Sequence, residues 1–187
     1  MSVAPPSPPL SDGVIALRPW LERDVEAIMS ACRDQDIAWW LDQVPQPYGE
    51  ADARTYVAVT RRGWKYGTHA SFAVTDAGTS EVLGSIGVHW LDPEQGVAEV
   101  GYWVRLESRG HGVATRATRL VTDWALRSCG MKRVQLRADS RNVASQHVAE
   151  AAGFRREGVL RSVRFNPRQG RRVDFVVYSL LADELSG

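Results

Sequence analysis

The chain is 187 residues long, 44% hydrophobic and 24% charged, with a formal net charge of +1. That length suits one domain, which buries roughly 70% of its unfolded-state surface and so needs no covalent staple. A near-neutral balance argues against nucleic acid or an anionic membrane as a partner attracted by charge alone.

Residues 1–12 carry four prolines within the first nine positions and read as a disordered tail, leaving 13–184 as a single domain. The tail lacks the basic region and apolar run of a signal peptide, and no apolar stretch reaches the ~20 residues that span a bilayer. A cytoplasmic protein is expected, and a basic complement with only Lys65 and Lys132 as lysines fits a GC-rich bacterial genome. Val14 to Arg18 reads as a strand stopped by Pro19. Leu21, Val25, Ile28, Met29 and Cys32 then fall at helical spacing. Ala38 to Tyr48 reads as an irregular loop, whose Trp39, Trp40 and Tyr48 are either core satellites or the wall of a substrate cleft. A second helix is expected from Gly49, with Ala53, Tyr56, Val57 and Trp64 on its apolar face and Glu50 and Asp52 at its positive end.

Strands Ala70 to Thr75, Val82 to Leu91 and Val97 to Val104 follow with short turn-rich connections, as in an antiparallel meander. A helix through Ala114, Ala117, Leu120, Val121 and Trp124 comes next, then a strand from Arg133 to Ala138. A short helix from Asn142 to Ala152 is closed by Gly153. Two strands, Val159 to Phe165 and Arg171 to Leu181, end the chain. The order implies an α/β fold: a mixed, mostly antiparallel central sheet with helices on both faces. Cys32 and Cys129 form no CxxC pair and no histidine stands at metal-ligand spacing, so no metal is expected.

Between the third meander strand and the following helix lies Arg109-Gly110-His111-Gly112-Val113-Ala114-Thr115. Two glycines let the backbone approach an anion and turn N–H groups inward. The helix N-terminus adds about half a positive charge and several unpaired donors, a site suited to a pyrophosphate. There is no Gly-Lys-Ser/Thr of a Walker loop, and no parallel unit with an acidic ribose ligand follows.

With these residues the sequence resembles the GNAT superfamily of N-acetyltransferases, in particular the ribosomal-protein N-terminal (RimJ/RimL-like) branch. Arg109, Gly112 and Ala114 match the Q/R-x-x-G-x-G/A signature. Glu99 to Val104 resembles the fourth strand. Asn142-Val143-Ala144-Ser145, followed by Gly153 to Arg161, resembles the next block. The resemblance covers about Val14 to Leu181 and implies a GNAT-type acyl-CoA N-acyltransferase fold with acetyl-CoA as acyl donor. It places the donor between the strands ending at Val104 and Ala138, with backbone groups of Trp103 and Val104 pairing its pantetheine arm. Backbone N–H groups of Arg109, Gly110, His111, Gly112, Val113, Ala114 and Thr115 would hold the pyrophosphate, with Asn142 and Ser145 near the pantetheine or sulfur. Gly101 allows either a bulge that splays the strands or ordinary close packing.

Transfer to an amine needs a neutral nucleophile and a leaving thiolate. Glu99, ten positions before Arg109, is the candidate base, at the spacing where histone-modifying relatives carry their glutamate. The alternative is a strand carboxylate paired with an arginine. His89 is a second base candidate, and His111 belongs to the cradle. Many members carry a tyrosine acid seven residues after the asparagine; here that position is Ala149, and Ser145 is the nearby hydroxyl. The branch usually has glutamate where this chain has Arg116. Seven arginines crowd the last hairpin, either as solvated strand positions or as a patch for an acidic partner, although nucleic acid is not expected. The resemblance implies an N-acetyltransferase acting on a primary amine, foremost a peptide or protein N-terminus, in a monomer or homodimer. Two alternatives are a small-amine acetyltransferase, for an antibiotic, polyamine or amino acid, and a non-catalytic CoA-binding module. Succinyl-CoA is the alternative donor.

Overall fold

The computed structural model describes residues 4–185, so Met1 to Val3 of the expected tail lie outside the described residues. Strand β1 (Leu10–Ser11) pairs with β2 (Ile15–Pro19), Leu10 opposite Leu17. Asp12 makes the turn between them, accepting the N–H groups of Val14 and Ile15 at 2.9 Å. The ordered chain therefore begins inside the stretch expected to be disordered, because this turn fixes two residues too few to show a period.

The helix expected from Leu21 is a 3₁₀ turn, Glu22–Asp24, followed by α1 (Val25–Cys32). Arg18 holds the buried Asp24 carboxylate with both terminal guanidinium nitrogens, at 2.7 and 2.9 Å. A further helix, α2 (Gln35–Trp40), occupies the start of the expected irregular loop, because Asp34 accepts the Asp36 N–H at 2.8 Å as an N-cap. Helix α3 (Glu50–Tyr66) follows its N-cap Gly49, as its acidic first turn indicated.

The meander is β3 (His69–Asp76), β4 (Val82–Asp92) and β5 (Val97–Val104). Then come α4 (Val113–Asp123), β6 (Arg133–Asp139), α5 (Val143–Ala151), β7 (Arg155–Asn166) and β8 (Arg171–Leu181). Among the described residues the eight strands share one sheet in the order β1-β2-β3-β4-β5-β6-β8-β7. Its β5–β6 pair is parallel and the other pairs are antiparallel. This is the mixed, mostly antiparallel α/β class the element order implied.

Strand alternation divides the core between the two sheet faces. Phe72, Val74, Ile86, Val88 and Val100 pack with Ala117 and Val121 of α4. Ala73, Val82 and Trp103 pack with Trp20, Ile28 of α1 and Val57 of α3. Helices thus lie on both faces. Among the described residues no helix is long and apolar enough to cross a membrane.

Candidate active site

Strands β5 and β6 run side by side only from the pair Val97 and Arg133 to the pair Val100 and Leu136. Beyond it, β5 stays on β4 through Val104, whereas β6 stays on β8 through Asp139. The strands part, and a cavity of about 720 Å³ opens between them. No bulge is needed, since Gly101 keeps its register opposite Gly87.

One end of the cavity is the cradle. Gly110 and Gly112 both take left-handed conformations, φ +77° and +75°, with nothing within 4 Å of where a Cβ would stand. The first backbone bond of α4 runs from the Arg116 N–H to the Gly112 carbonyl, 3.0 Å. The N–H groups of Val113, Ala114 and Thr115 are therefore left for an anion, beside those of the glycine turn. Arg109 departs from the expectation in an instructive way. Its own N–H closes a turn onto Leu106 O at 3.2 Å. Its guanidinium donates to Val104 O at 3.1 Å and pairs with Asp36 at 3.1 Å and with Asp34. Arg109 is a strut from the cradle to the start of α2. The His111 side chain is exposed and lies off the cavity wall.

The ladder phase corrects a second expectation. Arg105 N–H bonds Leu83 O at 2.9 Å, flanking the Gly84–Val104 pair. In an antiparallel ladder the next pair, Ser85 with Trp103, then exchanges both bonds, so the Trp103 backbone faces β4. The close approach of Trp103 O, 2.5 Å from a Cβ built on Gly84, agrees and explains the glycine. Tyr102 and Val104 turn their backbone groups to the cleft instead. The Trp103 ring stacks on Trp20 with centroids 6.0 Å apart.

Glu99 stands on the cavity wall in a row that crosses the sheet: His69, His89, Glu99, Gln135 and Ser179 are successive partners. Its carboxylate accepts Arg137 Nε at 2.5 Å and Nη2 at 2.9 Å, and Gln135 Nε2 at 2.7 Å. It is the arginine-paired strand carboxylate of the alternative reading, with three of roughly four lone-pair sites taken. His89 also lines the cavity, its ring stacked on His69 at 5.5 Å. Burial lowers its pKa, and the Glu99 charge opposes that shift.

Asn142 caps α5, its Oδ1 accepting the Ser145 N–H at 3.0 Å. Ser145 Oγ in turn accepts a hydrogen bond from the Tyr102 hydroxyl at 3.0 Å. All three residues border the cavity, whereas Ala149 is fully buried. A tyrosine hydroxyl does reach this corner, from β5 instead of the helix.

At the other end of the cavity, Trp40 lines the wall but Trp39 and Tyr48 do not. Trp39 is 42% exposed, and Tyr48 is buried in the core under α1 and α3. Arg137 and Arg164 flank the Phe175 ring at 5.7 and 5.4 Å, and Arg164 pairs with Asp42 at 2.8 Å. Arg164, one of the seven hairpin arginines, and Phe175 face the cavity. Phe175 was missed in the sequence, because its partners are distant in the chain. The hairpin arginines are largely committed. Arg155 pairs with Glu184 and Arg171 with Asp139, while Arg168 and Arg172 bond backbone carbonyls. Arg116, the departure from the branch pattern, pairs with Asp12 at 2.7 Å and so anchors the first hairpin.

Residues 15–155 match the model of the acetyltransferase (GNAT) domain family. The chain is 31% identical to "Putative ribosomal N-acetyltransferase YdaF" of Bacillus subtilis (strain 168), over 89% of this chain and 88% of that protein. It is 30% identical to "Uncharacterized N-acetyltransferase p20" of Bacillus licheniformis, over 62% of this chain and 64% of that protein, so this match spans less than two thirds of p20. In fold it resembles RimL, a ribosomal L7/L12 alpha-N-protein acetyltransferase solved with coenzyme A, with a TM-score of 0.84 at 20% identity, over 94% of this chain and 98% of that one. By the extent of the family match, the chain belongs to the GNAT family of N-acetyltransferases.

Proposed function

We propose that the chain moves an acetyl group from acetyl-CoA to the α-amine of a peptide or protein N-terminus, within a domain spanning residues 13–184. The cradle fits the donor: free N–H groups at the start of α4 and two side-chain-free φ-positive positions meet a pyrophosphate. Cleft-facing groups of Tyr102 and Val104 meet an extended arm. The bound donor supplies the acyl thioester; the chain's own residues place the amine and receive the leaving sulfur.

The state of Glu99 carries the choice of acceptor. Its charge is answered by the Arg137 guanidinium, and one lone-pair site is left for an N–H of the amine. Such a carboxylate orients an amine better than it deprotonates one. A lysine side chain, pKa ~10.4, is roughly 0.04% neutral at pH 7, whereas an α-amine near 7.8 is roughly 14% neutral. The α-amine suits a cleft with this equipment, and the names of YdaF and RimL lend support. Trp40 offers the first acceptor residue an apolar wall.

The test offers peptides with free or blocked N-termini, each with and without an internal lysine, and locates the acetyl group by mass spectrometry. Acetylation confined to free N-termini is the expected result. Modification only of lysine side chains or of non-peptide amines overturns the acceptor assignment.

A further inference from the structure

The Ser145 hydroxyl has one lone pair filled by the Tyr102 O–H at 3.0 Å, and among the described residues no group accepts its own proton. The Tyr102 ring packs against the core beneath α4 and α5, so its hydroxyl has little freedom to turn away. The Asn142 cap fixes the backbone that carries Ser145. With backbone and acceptor side both held, the remaining direction for the Ser145 proton is the cavity that Ser145 borders.

We infer that Tyr102 is a positioning residue for the leaving group, turning the Ser145 O–H into the cleft to steady a thiolate by a hydrogen bond without giving up the proton. The inference rests on the acyl-CoA reading of the cleft. As the amine nitrogen bonds to the carbonyl carbon, the C–S bond breaks and its electron pair stays on sulfur. The surplus proton leaves from nitrogen to water. Ser145 keeps its proton throughout, as does Tyr102.

Magnitudes decide against a proton relay. Burial pushes the Tyr102 hydroxyl up to about 12, the Ser145 contact opposing that shift. A thiol has a pKa of ~8.5, so proton transfer from this phenol to the thiolate is unfavourable by more than three powers of ten. A donor that stays protonated across the neutral range is, by contrast, a constant source of hydrogen bonding. The chain dispenses with the helix-borne tyrosine at Ala149 because the leaving sulfur needs a dipole and no acid.

The test compares coenzyme A with desulfo-coenzyme A, which lacks the thiol, in calorimetric binding between pH 6.5 and 9.5. A thiolate steadied by Ser145 ionises below the free value, so wild-type affinity for coenzyme A should rise with pH relative to desulfo-coenzyme A. The expected rise is about tenfold, one pKa unit. Tyr102→Phe should abolish most of that rise, read as the ratio of the two affinities at each pH. Ser145→Ala should abolish it too, and the double variant should lose no more than Ser145→Ala. Ser145→Thr, which keeps a hydroxyl, should retain it. Equal pH dependence in wild type and Tyr102→Phe overturns the inference, with Tyr102 reduced to packing. Failure of the wild type to bind either compound removes the acyl-CoA reading itself, a different result.

Discussion

The two ends of the cleft are built from different atoms. The cradle end is backbone: N–H groups from one contiguous run, Gly110 to Thr115, aimed by two left-handed glycines and a helix start. The proposed acceptor end is side chains: Glu99 with Arg137, 38 residues apart, Arg164 with Asp42, and Phe175 beside both guanidinium groups. Backbone donors keep their geometry whatever side chains surround them, so a recurring ligand part can be met by a recurring loop. Charged pairs, by contrast, can be re-partnered one residue at a time. Arg109, reaching from the cradle to Asp34 and Asp36, ties the two together.

The strongest break of this division is Gly112→Asp, which adds a Cβ at φ +75° and a negative charge beside the free N–H groups. Acetyl-CoA affinity should fall at least tenfold, about 1.4 kcal/mol, by calorimetry. Gly112→Ala controls for strain alone, about 1 kcal/mol at a left-handed position. Unchanged affinity in the Asp variant would remove the cradle from the site. Glu99→Gln acts at the other end. General-base loss typically costs about 10²–10⁴-fold, but a carboxylate already engaged by Arg137 should cost less than tenfold in kcat with an α-amine, and leave the acetyl-CoA KM alone. A hundredfold loss with a flattened pH–rate profile would restore Glu99 as the base.

Asp34→Ala probes the tie. It removes the α2 cap, about 1 kcal/mol, and one of the two carboxylates on Arg109. Because α2 carries Trp40, the acceptor KM should rise severalfold while acetyl-CoA affinity changes less than twofold. An equal loss in both would make the two ends one cooperative unit.

Legibility in the sequence follows the same division. The cradle could be read because glycine spacing and a helix start are local. The meander and α3 were readable from periodicity, and Tyr102 lies within the expected strand Val97 to Val104. What escaped depends on partners far along the chain or on ladder phase. Whether Trp103 or Tyr102 turns its backbone to the cleft is set by a bond between Arg105 and Leu83, which no single strand displays. Tyr48 is buried because α1 and α3 close over it, and Arg116 is explained by Asp12, 104 residues away. Helix α2 is six residues long, too short for a period.

The smallest effect concerns the polar row under the acceptor end. His69 and His89 stack at 5.5 Å, and the His69 ring also lies against α3, where a Cβ on Gly63 would meet it at 2.4 Å. That helix interior tolerates glycine because the ring needs the space. Burial lowers the pKa of both imidazoles from 6.5, the His89 charge lowering that of His69 further, while Glu99 opposes the shift at His89. The unfolded chain, with histidines near 6.5, therefore binds more protons than the folded one between the depressed values and 6.5. Stability contributed by the neutral pair is fully present above pH 6.5 and is lost as pH falls through that window. The melting temperature should accordingly drop on acidification below 6.5, and His89→Gln should reduce the drop by relieving both the His89 burial cost and its repulsion of His69. Desulfo-coenzyme A affinity, set at the backbone-built end, should stay flat over the same range. If wild type and His89→Gln melt in parallel from pH 7 to 5, the pair is not a site of acid sensitivity. If the affinity falls with the melting temperature, the acid response reaches the cradle and the two ends are less separate than their construction implies.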